Sequence, residues 1–339
     1  MDYNSKIKVA IIGAGRWGFN HVKTAAEILN PASIIICDSS NKSLKKVNEF
    51  NPDIITTNNI DDVTADNKIN AVIVASPAET HYSIAKRMLK AGKNVLVEKP
   101  ITLNTTDAEE LLNISSTLKL KLMVGHILLY HPAVLKMKEG IEKGTLGRLQ
   151  YIYSNRLNLG AIRSEENILW SFAPHDISLI QYFTGSNPVK IDAHGAVFLQ
   201  DGVEDTTLTY LEYPGNIRAH IYVSWLHPFK EQRLVVVGEN GMYVFEDSAK
   251  TEKLKFYSKG FRKVNGSLEK FEEDYKVIEF ENKSPLREEH LHFYNSIVNN
   301  TEPLTDGRHA LEVLKILEEA TRSLRRKSDL RAALSLLDN

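Results

Sequence analysis

Cysteine is nearly absent from the 339-residue chain. Cys37 stands alone, so no disulfide within the chain is open to it and a small disulfide-stapled fold is excluded. An excess of charge of one sign is also missing. Lys plus Arg number 42 against 43 Asp plus Glu, a formal net charge of −1, and no global field draws in nucleic acid. No apolar run approaches the roughly 20 residues that span a bilayer, and the opening MDYNSKIK holds no apolar signal segment. Internal repeats and low-complexity tracts are lacking. These absences fit a cytoplasmic protein with neither nucleic-acid nor membrane partners, and the length is enough for two domains.

What is present begins with an apolar run, Val9 to Ile12, that leads into Gly13-x-Gly15-x-x-Gly18 and then a helical pattern. The run is short and β-branched, as in a strand buried on both faces. Gly13 allows the tight turn, Gly15 lets the backbone approach a pyrophosphate, and Gly18 lets the helix pack on the strand. The phosphates then face the free N–H groups at the positive helix end. Arg16 and Trp17 lie inside the loop, and Trp17 is placed to cover the cofactor or to pack on the sheet edge. The next strand, Ser33–Cys37, runs into Asp38, a carboxylate positioned to bond both ribose hydroxyls and to repel a 2′-phosphate. NAD is therefore favoured over NADP, although Ser39, Ser40 and Lys42 leave room for a phosphate.

Strand and helix then alternate. Helices are expected from about Phe19 to Leu29, Ser43 to Phe50 and Thr80 to Lys90, the last stopped by Gly92. Ala71–Ala75, Asn94–Val97 and Lys121–Gly125 read as strands, and Thr105 or Thr106 caps a further helix. This order predicts an α/β protein with an N-terminal doubly wound parallel (Rossmann) sheet over 1–124. Ligands bind such sheets at the carboxyl ends of strands, so Ser76, Pro77, Glu98, Lys99 and His126 share one rim, and His81 is counted with them. From about Gly147 the pattern changes to successive strands. Leu149–Leu157, Val189–Leu199, Thr206–Tyr213, Ile217–Trp225, Arg233–Val237 and Met242–Glu246 are broken by turns at Pro214-Gly215-Asn216 and Glu239-Asn240-Gly241. One helix near Pro174–Phe183 interrupts them, and helices return after Pro285. A C-terminal α+β domain over 125–339, with a mostly antiparallel open sheet, follows. Its apolar face suits a homodimer or homotetramer.

With the glycine loop, Asp38 and the run from Gly92-Lys93-Asn94-Val95 to Glu98-Lys99-Pro100, the chain resembles the Gfo/Idh/MocA oxidoreductases. That family is named for glucose–fructose oxidoreductase and inositol dehydrogenase. The resemblance covers essentially the whole chain and implies a cis bond before Pro100 that aims Lys99 into the cleft. A second family motif, Asp-x-x-x-His, stands here as Ser171 to His175, with serine where the aspartate is usual. Asp176 is no direct replacement, because on a helix it points about 100° away from its neighbour. The stretches Arg156–Gly160, Arg163–Asp176 and Ser224–Lys230 further resemble a bacterial subgroup that oxidises the 3-hydroxyl of UDP-N-acetylglucosamine or its uronate. From it Arg156, Asn158, Arg163, Trp170, Asp176 and Lys230 are expected to touch substrate.

Oxidising a secondary alcohol needs a hydride acceptor, supplied by the nicotinamide, and a group to take the hydroxyl proton. His175 is the first candidate. Pro174 suits the first position of a helix, and the positive end there favours a neutral imidazole. Lys99 then polarises the hydroxyl or shares its proton. Arginine grips a diphosphate with paired hydrogen bonds, which makes Arg156, Arg163, Lys230 and Arg233 the candidates. Trp170 and Trp225 either stack on a uracil or pack in the core. His290-x-His292 places its rings on different sides of a helix, so no metal site is expected. The leading reading is an NAD-dependent dehydrogenase of a nucleotide-linked sugar. A dehydrogenase of a free sugar or cyclitol is the alternative, and a non-catalytic NAD-binding regulator is the contrasting class.

Overall fold

A computed structural model describes residues 3–160 and 166–335. Contacts divide the chain into Met1–Tyr130 with Lys283–Leu314, and His131–Asn282 with Lys315–Asn339. This departs from a single boundary between 124 and 125. Residues 283–314 rejoin the first unit because Phe293 and Tyr294 belong to its apolar core.

The first unit runs β1 (Val9–Ile12), α1 (Gly18–Ile28), β2 (Ile34–Cys37), α2 (Asn41–Phe50), β3 (Ile55–Thr57), α3 (Ile60–Ala65), β4 (Ala71–Val74), α4 (His81–Lys90), β5 (Asn94–Val97), α5 (Thr105–Leu118) and β6 (Leu122–Val124). Its strands lie in the order β3-β2-β1-β4-β5-β6, and every pair is parallel. This is the doubly wound order that the alternation predicts. β1, β2 and β4 are buried along their whole length, as their unbroken apolar runs require. Gly92 sits at φ +76° just past α4, the left-handed conformation that ends a helix. Asn104, rather than a threonine, caps α5: its side chain accepts from the Asp107 N–H at 2.8 Å. β3 and α3 lie in a polar stretch whose pattern gave no signal.

The second unit adds α6 (Pro132–Glu142), β7 (Leu149–Leu159), α7 (Ile168–Thr184), β8 (Lys190–Ala196), β9 (Thr206–Tyr213), β10 (Ile217–Ser224), β11 (Leu226–Gly238), β12 (Gly241–Glu246), β13 (Leu254–Tyr257), β14 (Lys259–Val264), β15 (Ser267–Glu272) and β16 (Lys276–Val277). Eight strands pair in the order β16-β13-β12-β11-β7-β10-β9-β8, antiparallel except for β7 with β10. β14 and β15 make a separate hairpin. Both expected turns join antiparallel neighbours. α8 (Pro285–Asn299) then returns to the first unit, and α9 (Gly307–Ser335) begins there and ends in the second. Among the described residues no helix is long and apolar enough to cross a membrane.

α7 corrects one expectation. The helix starts at Ile168, where the Asn167 side chain accepts from the Trp170 N–H at 3.2 Å, and not at Pro174. Pro174 lies inside the helix, and Gly185 closes it at φ +62°. The proline signal was real but misleading. The buried face set by Ile168, Leu169, Ala173, Ile177 and Ile180 holds the helix across a residue with no N–H to give.

Candidate active site

In the first unit the three glycines do three different things. Gly13 sits at φ +95°, and a Cβ there would stand 2.7 Å from the Ala75 carbonyl carbon and the Ser76 nitrogen. A Cβ on Gly18 would stand 2.0 Å from the Gly13 carbonyl oxygen. Gly15 is exposed, and a Cβ there meets nothing within 4 Å. The loop is thus closed on the sheet side and open where phosphate would come. α1 begins after Trp17 with no side-chain cap; the Phe19 and Asn20 N–H groups bond the Gly15 and Trp17 carbonyls, and no carboxylate in the first turn opposes an anion at the positive helix end.

Asp38 follows β2, and its carboxylate accepts from the Ala14 N–H at 2.6 Å and the Ser40 N–H at 2.7 Å. It therefore tightens the glycine loop. Cys37 beside it is buried, and burial followed by the charge of Asp38 pushes its thiol up to about 11, which leaves it unreactive. Arg16 and Trp17 are exposed on the loop, and Arg16 lines a cavity of about 590 Å³ with Lys42, Lys45 and Lys46.

At the end of β4, Ser76 shares a hydroxyl hydrogen bond with Thr80 at 2.7 Å, and Pro77 is exposed. His81 packs between the two strand ends. It is buried, with Nδ1 2.7 Å from the Pro100 carbonyl and Nε2 2.9 Å from the Ser76 carbonyl. Each nitrogen faces a carbonyl, and whichever carries the hydrogen braces the end of β4 or of β5. The Lys99–Pro100 bond is cis, as the family resemblance implies. Lys99 is half-buried, and its N–H donates to Glu98 Oε2 at 3.2 Å. Glu98 turns inward: its Oε1 accepts from Trp17 Nε1 at 2.5 Å and lies 2.8 Å from His21 Nε2. Gly125 makes space for that carboxyl group, since a Cβ there would come within 3.1 Å of it.

His126, at the end of β6, is fully buried, and neither ring nitrogen has a hydrogen-bond partner among the described residues. Burial, with the nearby His309 and the charge of Lys99, holds its pKa well below the usual imidazole value. An open phosphate cradle, an uncapped helix and an orphaned imidazole on one rim fit a dinucleotide. Gly13, Gly15, Gly18, Asp38 and His126 are the residues that would hold it.

The second unit carries the candidates for substrate. His175 is half-buried and lies in the interior of α7, so the expected help from a helix N-terminus does not apply to it. Ser171 is buried one turn earlier. Arg156 and Asp176 pair with each other. Arg156 Nε donates to Oδ2 at 3.0 Å and an Nη to Oδ1 at 2.9 Å, and Ser154 Oγ also donates to Oδ1 at 2.7 Å. Burial opposes the Arg156 charge, but the Asp176 carboxylate outweighs it and holds the guanidinium above its usual pKa. This fork–fork pair ties β7 to α7, so each of the two side chains already has a structural partner. Arg233 is likewise taken, donating to Glu246 at 2.6 Å.

Trp225 is buried, with its indole N–H on Asp205 at 2.5 Å, so it packs rather than stacks on a base. Trp170 is half-buried and donates to Thr321 Oγ1 at 2.9 Å, keeping only its ring face for a ligand. Asn158 Oδ1 is buried without a partner, and Lys230 is exposed on β11. Arg163 lies outside the described residues. Among those residues no group of three or more His, Cys, Asp or Glu is arranged to hold a metal. His290 and His292 face different partners, His21 and the Leu304 N–H.

Sequence reasoning left Glu289 and His290 unassigned, although both are fully buried. The signal was there: Leu286, Phe293 and Tyr294 mark a buried stripe at helical spacing, and positions 289 and 290 fall on it.

Comparison with known proteins agrees with this layout. Residues 7–126 match the model described as an oxidoreductase family with an NAD-binding Rossmann fold, and residues 134–244 match the GFO/IDH/MocA C-terminal domain. Inositol 2-dehydrogenase of Rhizobium meliloti is 25% identical over 59% of this chain and 61% of its own length. UDP-N-acetylglucosamine 3-dehydrogenase of Acidithiobacillus ferrooxidans is 26% identical over 59% of this chain and 62% of its own. The chain thus spans about three fifths of the length of these curated relatives. In fold it is similar to the WlbA dehydrogenase from Bordetella pertussis, solved in complex with NADH and UDP-GlcNAcA. The TM-score is 0.75 at 20% identity, covering 95% of this chain and 97% of that one. The glycine cradle, the Lys99–Pro100 strand end and the antiparallel second unit are therefore those of a member of the Gfo/Idh/MocA oxidoreductase family, with an NAD-binding Rossmann domain.

Proposed function

We propose that this chain oxidises a secondary hydroxyl of a sugar, with Lys99 and His175 handling the hydroxyl proton. The observation that carries the reading is the cofactor cradle: an uncapped helix start behind close-packed glycines, with Lys99 on the rim of the same sheet. NAD, when bound, takes the hydride. As the carbon loses that hydrogen with its electron pair, the O–H proton passes to His175 and the carbonyl forms. Lys99 bears on the developing oxygen charge.

For substrate we infer UDP-N-acetylglucosamine or its uronate, oxidised at C3. The segments Arg156–Gly160, Arg163–Asp176 and Ser224–Lys230 support this, as do the names of two similar proteins. A cyclitol is the second reading. The inositol 2-dehydrogenase relative favours it, and so does the engagement of Arg156 by Asp176, which takes one cation away from a diphosphate. NADH absorbance on incubation with UDP-N-acetylglucosamine, its uronate, inositol and glucose decides between them. Lys99→Met and His175→Asn should each lower kcat by about 10²–10⁴-fold. A signal with inositol alone changes the substrate. NAD binding without turnover on any of them, even with a 2-oxo acid added as reoxidant, replaces the enzyme with an NAD-binding regulator.

We further infer that copies of the chain pair as a dimer or tetramer through the second sheet. Tyr151, Tyr153, Leu208, Tyr210, His220 and Tyr222 stand on one face of β7, β9 and β10 by their register. Leu208 is 43% exposed and Tyr210 36%, a large apolar surface for a lone chain. Light scattering at micromolar concentration should return a multiple of 38.3 kDa, and Tyr210→Glu should lower it. A monomer throughout rules the pairing out.

A further inference from the structure

Behind the glycine loop the first unit holds a chain of buried polar groups that hydride transfer does not use. Glu98 Oε1 has no hydrogen to give, so Trp17 Nε1 and His21 Nε2 both donate to it. His21 Nδ1 then faces His290 Nε2 at 2.8 Å, and the Tyr294 hydroxyl stands 3.3 Å from His290 Nδ1. With one hydrogen on each ring the order is fixed: Tyr294 donates to His290, His290 to His21, and His21 to Glu98. The two imidazoles meet edge to edge across that hydrogen bond, with centroids 5.1 Å apart and planes 20° from parallel, and the Trp17 indole meets His21 edge-on at 6.1 Å. His21, His290 and Tyr294 are all fully buried, whereas Trp17 is 44% exposed.

Charges in the cluster are sorted to match. Burial works to raise the Glu98 carboxyl, but the hydrogen bonds from His21 and Trp17 and the charge of Lys99 outweigh it. The group is held below the usual carboxylate range. Glu289, next to His290, has neither carboxyl oxygen hydrogen-bonded, and burial followed by the charge of Glu98 pushes it well above that range. Burial holds His290 well below the usual imidazole value. Glu98 is thus the carboxylate of the group, and its Oε1, which accepts two hydrogen bonds, is shared by the cofactor loop and the buried histidines.

We propose that His21 and His290 are positioning residues for the cofactor: through Glu98 they fix the Trp17 indole, and with it the Gly13–Gly18 loop, in the form that receives the nucleotide. Glu98 also accepts the Lys99 N–H, so one carboxylate sets both the phosphate loop and the lysine turn. A loop held before binding loses less freedom when the ligand arrives, and cutting its tether shows as lost affinity. This holds only if the loop takes NAD, whichever alcohol is oxidised.

The test uses the full chain labelled with ¹⁵N-tryptophan, together with NADH titration by fluorescence. Three indole N–H signals are expected, and Trp17→Phe identifies one by its loss. His290→Phe fills the same space without the hydrogen bonds. It should move the Trp17 signal, leave those of Trp170 and Trp225 in place, and weaken NADH binding about five- to tenfold. His290→Gln, which can still donate and accept, should restore affinity to within about twofold. Trp17 is exposed enough that Trp17→Phe should fold, and it should weaken NADH binding to the same degree. A folded His290→Phe with an unmoved Trp17 signal and unchanged affinity overturns the proposal. So does unchanged affinity in Trp17→Phe, whatever becomes of the buried variants. Failure to bind NADH in the unaltered protein refutes the cofactor assignment instead.

Discussion

One methyl group should separate two outcomes within the glycine loop. At Gly15 it meets open space and no positive φ opposes it, so Gly15→Ala should leave the melting temperature nearly unchanged. NADH affinity should still fall more than about tenfold, because the methyl stands where phosphate must approach the backbone. At Gly13 the same methyl runs into the Ala75–Ser76 peptide in a left-handed conformation, and Gly13→Ala should lose about 1–3 kcal/mol of stability or more. Melting curves and NADH titration read the two effects separately. Normal binding in Gly15→Ala would move the pyrophosphate elsewhere. These glycines and Asp38 were legible because their role depends on spacing along one strand–turn–helix. The partners of His81 and Glu98 were not, since a hydrogen bond between residues far apart in sequence leaves no period to read. The two carbonyls that face the His81 ring come from Ser76 and Pro100, five and nineteen positions away.

Elements show the same limit in another form. Strands β1, β4 and β5 announced themselves by apolar runs. β14 and β15 did not, because they are mostly exposed and held by each other rather than by a core. α7 starts at Ile168 and runs through Pro174, because its buried face overrides the local proline signal. That helix is fastened to β7 by the Arg156–Asp176 pair, with side chains 13% and 0% exposed. Removing one partner strands a buried charge. Asp176→Ala should therefore lower stability by about 3–5 kcal/mol, whereas Arg156→Met with Asp176→Leu should be close to neutral. Denaturant unfolding of the two single variants and the double variant gives the coupling. A double variant as weak as the sum of the singles would show that the two side chains act apart. The pair also explains why arginine counting overestimated the cations free for a diphosphate: the sequence shows the charge but not its occupation.

Across the first unit the buried titratable groups set how stability depends on pH. Burial holds His126 and His290 well below the usual imidazole value, and it lowers His292 and His309 as well. Such a group is neutral in the fold and protonates once unfolded. Its stabilising contribution is present at neutral pH and is lost as pH falls through the unfolded value of about 6.5. Glu289 runs the other way. It stays protonated in the fold and ionises in the unfolded chain above about pH 4.3, so its contribution is present in acid and lost as pH rises. Near pH 5.5, unfolding takes up about one proton at each of His126 and His290 and releases about one from Glu289. The net is uptake of about one proton or slightly more, with His292 and His309 adding to it. Stability of the first unit should therefore fall by about 1.4 kcal/mol per pH unit on acidification from pH 6 to 5. The ¹⁵N-labelled Trp17 indole N–H signal during denaturant unfolding follows that unit. In His126→Phe one uptake is removed, and the slope should flatten towards zero. A slope that is already flat or reversed in the unaltered protein would mean that these imidazoles are protonated in the fold, and the orphaned His126 would then carry a charge beside Lys99.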